Sequence, residues 1–346
     1  MRPPRERREI QRGRNMDSRT LIKKVITFDG APRIGYDLPG PWPCDVVHAG
    51  LTPDPNFRER RWTEGNAECY VDEWGCQWRA IGTTSKRGEV FQGAITDWDQ
   101  LDTYRPPDYG IAARYARARE AFAKAEGKYR IGQIPGCAFS LSRYIRRLDN
   151  FLADCLLEPA RVRRLNGLVM DELEKAVRHL AKAGADAVMF PEDWGTQDRL
   201  LMSPATFRKL FLPELERLCR AAGSLGLDVW MHSCGNVWDI IEDLIGAGIK
   251  VLQFDQPSLH GIERLDAAFG GRVAFECPVD IQRTLQSKSA RKIRDEARRL
   301  CTLLGGHGGG FIACRYGDEK AIGLTPRWQN TACDAFVEFG GCKGTG

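Results

Sequence analysis

No apolar run in the 346-residue sequence approaches the ~20 residues that a membrane-spanning helix needs. The opening segment, residues 1–15, carries six Arg and two Glu and has no apolar core, which excludes a secretory signal there. The twelve cysteines include no C-x-x-C pair, so neither a zinc ribbon nor a thioredoxin-type site is indicated. In a large chain without a secretory signal they read as reduced thiols rather than a disulfide framework. Charge of one sign is also scarce. Six Arg less two Glu in the opening segment account for +4 of the formal +5, leaving a nearly neutral body with no nucleic-acid footprint. The expectations are a cytoplasmic protein, a disordered basic tail over residues 1–20, and Met16 as the true start. Finally, no Gly-rich phosphate loop follows an early strand, which argues against an open dinucleotide-binding sheet.

What the chain does contain is alternation. A first strand is expected near Val25–Phe28. An irregular stretch rich in Trp, Pro and Gly runs from there to about Asp108, and its segment 70–78 reads as a hairpin whose Asp72 and Glu73 could face a substrate pocket. Helical spacing covers 111–126, 142–157 and 160–183, with a strand at 129–134. Then a strand-helix unit repeats, with strands at 185–190, 227–231, 250–254, 272–275 and 310–313. Such alternation implies βαβ units and a parallel sheet. All five strands run into polar or metal-binding residues at their carboxyl ends, as the active-site face of a (β/α)8 TIM barrel requires. The fold expectation is therefore α/β, one barrel domain over 21–346 with an irregular N-terminal region. The glycine run after the helix at 289–304 reads as a helix end and turn, which puts His307 at the wrong end of the barrel.

The chemistry gathers at those strand ends. His232 and Cys234 sit two apart where the strand 227–231 ends, so their side chains share a face. An imidazole and a thiolate on one face form half of a tetrahedral zinc site. Cys314, at the end of a later strand, is the expected third ligand, and Glu276 or Glu192 a fourth that could yield to substrate. Cys277 is a further candidate, although it should point opposite to Glu276. Three protein ligands and an open position describe a catalytic zinc, and two thiolates make it suited to binding a thiol. Asp193 and Asp280, together with Glu192, are the carboxylates expected to position substrate or manage its proton. Gln282, Gln256 and Asp72 are the expected substrate contacts.

With these residues in view, the stretch 60–339 resembles the uroporphyrinogen decarboxylase superfamily, in particular its zinc-dependent methyltransferase branch. The resembling pieces are Asp72-Glu73-Trp74-Gly75, Pro191-Glu192-Asp193-Trp194-Gly195-Thr196-Gln197, Ser203-Pro204, His232-Ser233-Cys234-Gly235, Val279-Asp280-Ile281-Gln282 and Gln329-Asn330. The resemblance implies a (β/α)8 barrel, zinc on His232, Cys234 and Cys314, and methyl transfer between a small methylated substrate or thiol and a corrinoid protein. The Arg-Gln-Ala-Gly-Arg signature of the decarboxylases proper is missing, and Cys277 stands where relatives commonly have Gly. No Asp-x-His-x-x-Gly corrinoid motif is present, so a corrinoid would arrive on a partner. Two other readings stay open. One is a metal-free decarboxylase-type lyase, whose activity would survive chelation. The other is a non-catalytic barrel that docks a corrinoid protein, which would function with its cysteines replaced. The chain could also form oligomers.

Overall fold

The structure is a computed structural model and describes residues 16–81, 88–319 and 321–341. Twelve strands are present among them: β1 Gly35–Asp37, β2 Val46–Gly50, β3 Arg61–Glu64, β4 Ala67–Val71, β5 Gln77–Ile81, β6 Glu89–Gln92, β7 Tyr129–Gln133, β8 Ala187–Pro191, β9 Asp228–His232, β10 Val251–Gln253, β11 Ala274–Cys277 and β12 Phe311–Cys314. Eight of them pair in the order β1-β12-β11-β10-β9-β8-β7-β2, every pair parallel. Helices follow the strands, so the fold is a nearly closed (β/α)8 TIM barrel. Its seam lies between β1 and β2. Side chains bridge it, with His48 Nε2 2.8 Å from Asp37 Oδ2.

The period-2 rule decides what this barrel offers for chemistry. One parity of each strand points inward. Its lower layer is Val46, Tyr129, Ile131, Ala187, Trp230, Val251, Ala274 and Ile312, which form one closed apolar cluster. One step up, at the carboxyl ends, the same parity carries His48, Gln133, Met189, His232, Gln253, Glu276, Cys314 and Asp37. The opposite parity, with Val188, Phe190, Val229, Met231, Leu252, Phe275, Cys277 and Phe311, packs outward against the helices. The reactive layer is therefore the upper inward ring.

The segment expected as a first strand is instead the helix Ser18–Thr27. Asp17 caps it by accepting from the Thr20 N–H at 2.8 Å. Leu21, Ile22, Val25 and Ile26 make a helical stripe that closes the bottom of the barrel against the inward cluster. A four-residue apolar window matches strand and helix alike, and this stripe begins before the window does. Of the expected tail, residues 1–15 lie outside the described residues. The glycine run expected to be a turn sits at this same lower face. Gly309 there leaves no room for a side chain, because a Cβ would stand 2.6 Å from the Val25 carbonyl oxygen. His307 pairs with Asp266 at 2.7 Å, far from the reactive layer.

The helix expected over 142–157 is two helices, Ala138–Arg146 and Leu148–Leu157, broken at Arg147 with φ of 67°. Between β2 and β7 the irregular region folds into a separate antiparallel sheet, β3-β4-β5-β6. The expected hairpin is β4–β5, with Tyr70 opposite Trp78. Trp78 anchors it by packing on the ring of Tyr144 at 4.8 Å. No helix among the described residues is long and apolar enough to cross a membrane.

Candidate active site at the barrel mouth

Three donors from two neighbouring strand ends converge at the upper inward layer. The ligand atoms of Asp193, His232 and Cys234 all lie within 4.8 Å of one another. His232 Nε2 is 3.3 Å from Cys234 Sγ and 3.5 Å from Asp193 Oδ1. These separations are close to the roughly 3.5 Å between two donors that share one tetrahedral zinc. The donor set of imidazole, thiol and carboxylate therefore fits zinc. Asp193 is held by the Cys234 N–H at 2.9 Å, and Arg143 stands 3.7 Å from its other oxygen. Trp194 fixes the Asp193 loop by stacking on Phe139 at 4.2 Å and packing edge-on to Phe207 and Phe211. Burial pushes the Cys234 thiol well above its ordinary value, with the Asp193 charge adding to the effect.

The loop that carries Cys234 depends on a glycine. Gly235 has φ of +76°, and a Cβ there would meet the Gly195 carbonyl oxygen at 2.3 Å. Behind it, His260 is 4% exposed and packs on Phe254 at 4.7 Å. Burial lowers its pKa to about 4, with Arg264 helping and a hydrogen bond to the Gly235 backbone opposing. The unfolded chain takes up this proton near pH 6.5 and the folded chain only near 4, so stability is lost as pH falls from about 6.5 towards 4. Urea midpoints should show wild-type stability about 2 kcal/mol lower at pH 5 than at pH 7 from this group. His260→Gln should be flatter over that window by the same amount.

Cys314 lies on the inward parity as expected but stands outside the three-donor group. It is joined to His232 through Gln253, whose Nε2 is 3.8 Å from Cys314 Sγ and whose Oε1 accepts from His232 Nδ1. Glu276 is buried at the same level, where its carboxyl hydrogen-bonds Asp37 next to His48. Burial raises its pKa well above the usual carboxylate range, and Asp37 adds to the rise.

Other expected site residues are not brought to the mouth. Glu192 has outward parity. Its Oε1 accepts from the Cys137 and Ser140 N–H groups at 2.5 and 3.1 Å, so it caps the helix Ala138–Arg146, and burial raises its pKa to about 8. Cys277 is buried on the same outward side, where it packs in the helix-facing core. Asp280 accepts from the Gln282 and Arg283 N–H groups at 2.9 and 2.8 Å and so closes its own turn. The Gln282 side chain is exposed, and Gln256 is buried at the start of the helix Pro257–His260. Asp72 binds the Cys76 N–H and Trp78 Nε1 within the hairpin.

Sequence reasoning passed over Gln253, Asp37, His48 and Arg114. Gln253 had a legible signal, a polar residue ending the buried run Val251-Leu252. Arg114 forms a two-pronged pair with Glu73 at 2.9 and 2.7 Å. This pair lines a cavity of about 650 Å³ that His232 and Gln253 also line. Leu51, Pro53, Ile134 and Met189 make its apolar wall.

No curated protein sequence matches the chain. Among solved structures it is similar to a methyltransferase from Methanosarcina mazei, 15% identical over 94% of this chain and 99% of that one, with TM-score 0.69. A B12-independent methionine synthase from a Shewanella species, 13% identical over 82% of this chain and 73% of that one, has TM-score 0.42. The first likeness agrees with the barrel described above. The sequence pattern of the uroporphyrinogen decarboxylase family matches residues 80–338, three quarters of the chain and all strands from β6 to β12. The protein belongs to the uroporphyrinogen decarboxylase family.

Proposed function

We propose that the protein is a zinc-dependent methyltransferase of this family, moving a methyl group between a small methylated substrate or a thiol and a corrinoid protein. The observation that carries the reading is the convergence of Asp193, His232 and Cys234, with His232 also lining the apolar-walled cavity. His232 and Cys234 would hold the metal, and Cys314, the thiol on the inward ring, would complete the set. Asp193 already accepts the Cys234 N–H, which suits it to hold the loop and orient substrate. Zinc held there would act as a Lewis acid that keeps a bound thiol deprotonated or stabilises the heteroatom losing its methyl group. Leu51, Ile134 and Met189 would keep water from that group. The corrinoid would come on a partner protein, because the sequence has no corrinoid-binding motif.

The family name itself favours a second reading, a metal-free decarboxylase. A polycarboxylate substrate needs facing cations, yet Arg114 is the one Arg or Lys lining this cavity among the described residues, and it is spent on Glu73. The test is metal analysis together with methyl transfer from a panel of methylated donors to cob(I)alamin. About one zinc per chain is expected, as for a single catalytic site. Activity should be lost on chelation and restored by zinc. Decarboxylation that survives chelation, with no bound zinc, would replace this reading by the second.

A further inference from the structure

The Gln253 carboxamide is buried between groups that fix which way round it sits. Its Nε2 is 2.9 Å from Asp255 Oδ1, and a carboxylate oxygen accepts, so the –NH2 end faces Asp255. Its Oε1 is therefore the atom turned on His232 Nδ1. An amide oxygen also only accepts, so Nδ1 carries the ring proton and Nε2 the lone pair. Asp193 Oδ1 competes for the opposite tautomer. At 3.5 Å from Nε2, and already accepting the Cys234 N–H at 2.9 Å, it is the weaker partner. Cys234 Sγ, 3.3 Å from Nε2, is a thiol donor that matches the lone pair. The strands enforce the contact, since Gln253 is the β10 residue in register with His232 on β9.

We propose that Gln253, itself oriented by Asp255, is a positioning residue that holds His232 in the Nδ1–H tautomer, so that Nε2 presents its lone pair to the space shared with Cys234 and Asp193. The functional meaning rests on the zinc reading, whereas the tautomer is a property of the chain alone. Carboxylates or carbonyls commonly do this work behind metal-bound histidines, and here a carboxamide backed by a carboxylate does it.

The experiment uses ¹⁵N-histidine-labelled, metal-free full chain and long-range ¹H–¹⁵N spectra at pH 8, with His232→Ala assigning the resonance. Wild type and Gln253→Glu are expected to carry the His232 proton on Nδ1. Gln253→Met, similar in size but with only a weakly accepting thioether in place of the amide oxygen, should move it to Nε2. Asp255→Asn, which can face Gln253 either way round, should give a mixture. By chelator competition, Gln253→Met should bind zinc about 10- to 100-fold more weakly, and Gln253→Glu should restore the affinity. The proposal is overturned if Gln253→Met keeps Nδ1–H and wild-type affinity, or if Gln253→Glu shows Nε2–H. An unchanged Asp255→Asn spectrum overturns the part assigned to Asp255. Should the tautomers respond as expected while wild type binds no zinc, the positioning role stands and the methyltransferase reading fails.

Discussion

Cys234→Ala and Cys314→Ala are each expected to strip the zinc and to lower methyl transfer by on the order of 1,000-fold, because a Lewis-acid metal contributes several kcal/mol at the reacting centre. The two positions start differently. Cys234 Sγ already shares the three-donor group with His232 and Asp193, whereas the Cys314 thiol lies beyond Gln253. Its 3.8 Å contact with an amide nitrogen is a weak restraint, and a soft metal prefers a second thiolate to a carboxylate. Burial pushes both thiols well above their ordinary values, so each must give up a proton on binding zinc. Calorimetry in buffers of different ionisation enthalpy should therefore show about two protons released per zinc bound in wild type. Asp193→Ala should retain zinc. The opposite pattern, with zinc lost in Asp193→Ala and kept in Cys314→Ala, would give the third place to Asp193.

The barrel was legible in the sequence because its second half repeats strand and helix at even spacing, and because His232 and Cys234 sit where a buried run ends. Three expected site carboxylates are engaged elsewhere, Glu192 because of strand parity and Asp280 and Asp72 because of their own turns. Glu192 follows Pro191 directly, yet it shares the outward parity of Phe190, and its chemistry is that of a helix cap. Asp280 and Asp72 look like site carboxylates in one dimension and turn out to satisfy N–H donors of their own turns. Asp37 and His48 could not have been read, because β1 and β2 are short strands set among Pro and Gly, where alternation is too brief to register. Gln253 was visible as a polar residue in a buried strand. Its role was not, since that depends on the neighbour strand's register.

The Glu73–Arg114 pair should be the largest single determinant of stability near the cavity, and its two halves should not be equivalent. Arg114 is 1% exposed, and the Glu73 side chain 16%. Glu73 also accepts the Asp54 N–H at 2.6 Å, and the Arg114 carbonyl accepts the Thr52 N–H at 2.8 Å. The pair thus ties the hairpin turn and the loop after β2 to the short helix Ala112–Tyr115. Removing one partner of a buried pair costs about 3–5 kcal/mol, mostly because the other charge is left without compensation. Glu73→Leu strands the fully buried guanidinium and belongs at the upper end, a fall of roughly 10 °C in Tm for a domain of this size. Arg114→Met leaves a carboxylate that reaches water, so solvent screening puts it at or below the lower end. In the double variant, with neither charge left, most of the loss should be recovered. A double-mutant cycle by urea unfolding checks the ordering. Equal losses in the single variants, or strict additivity in the double, would mean that packing on Tyr109, 4.7 Å from the guanidinium, matters more than the charges.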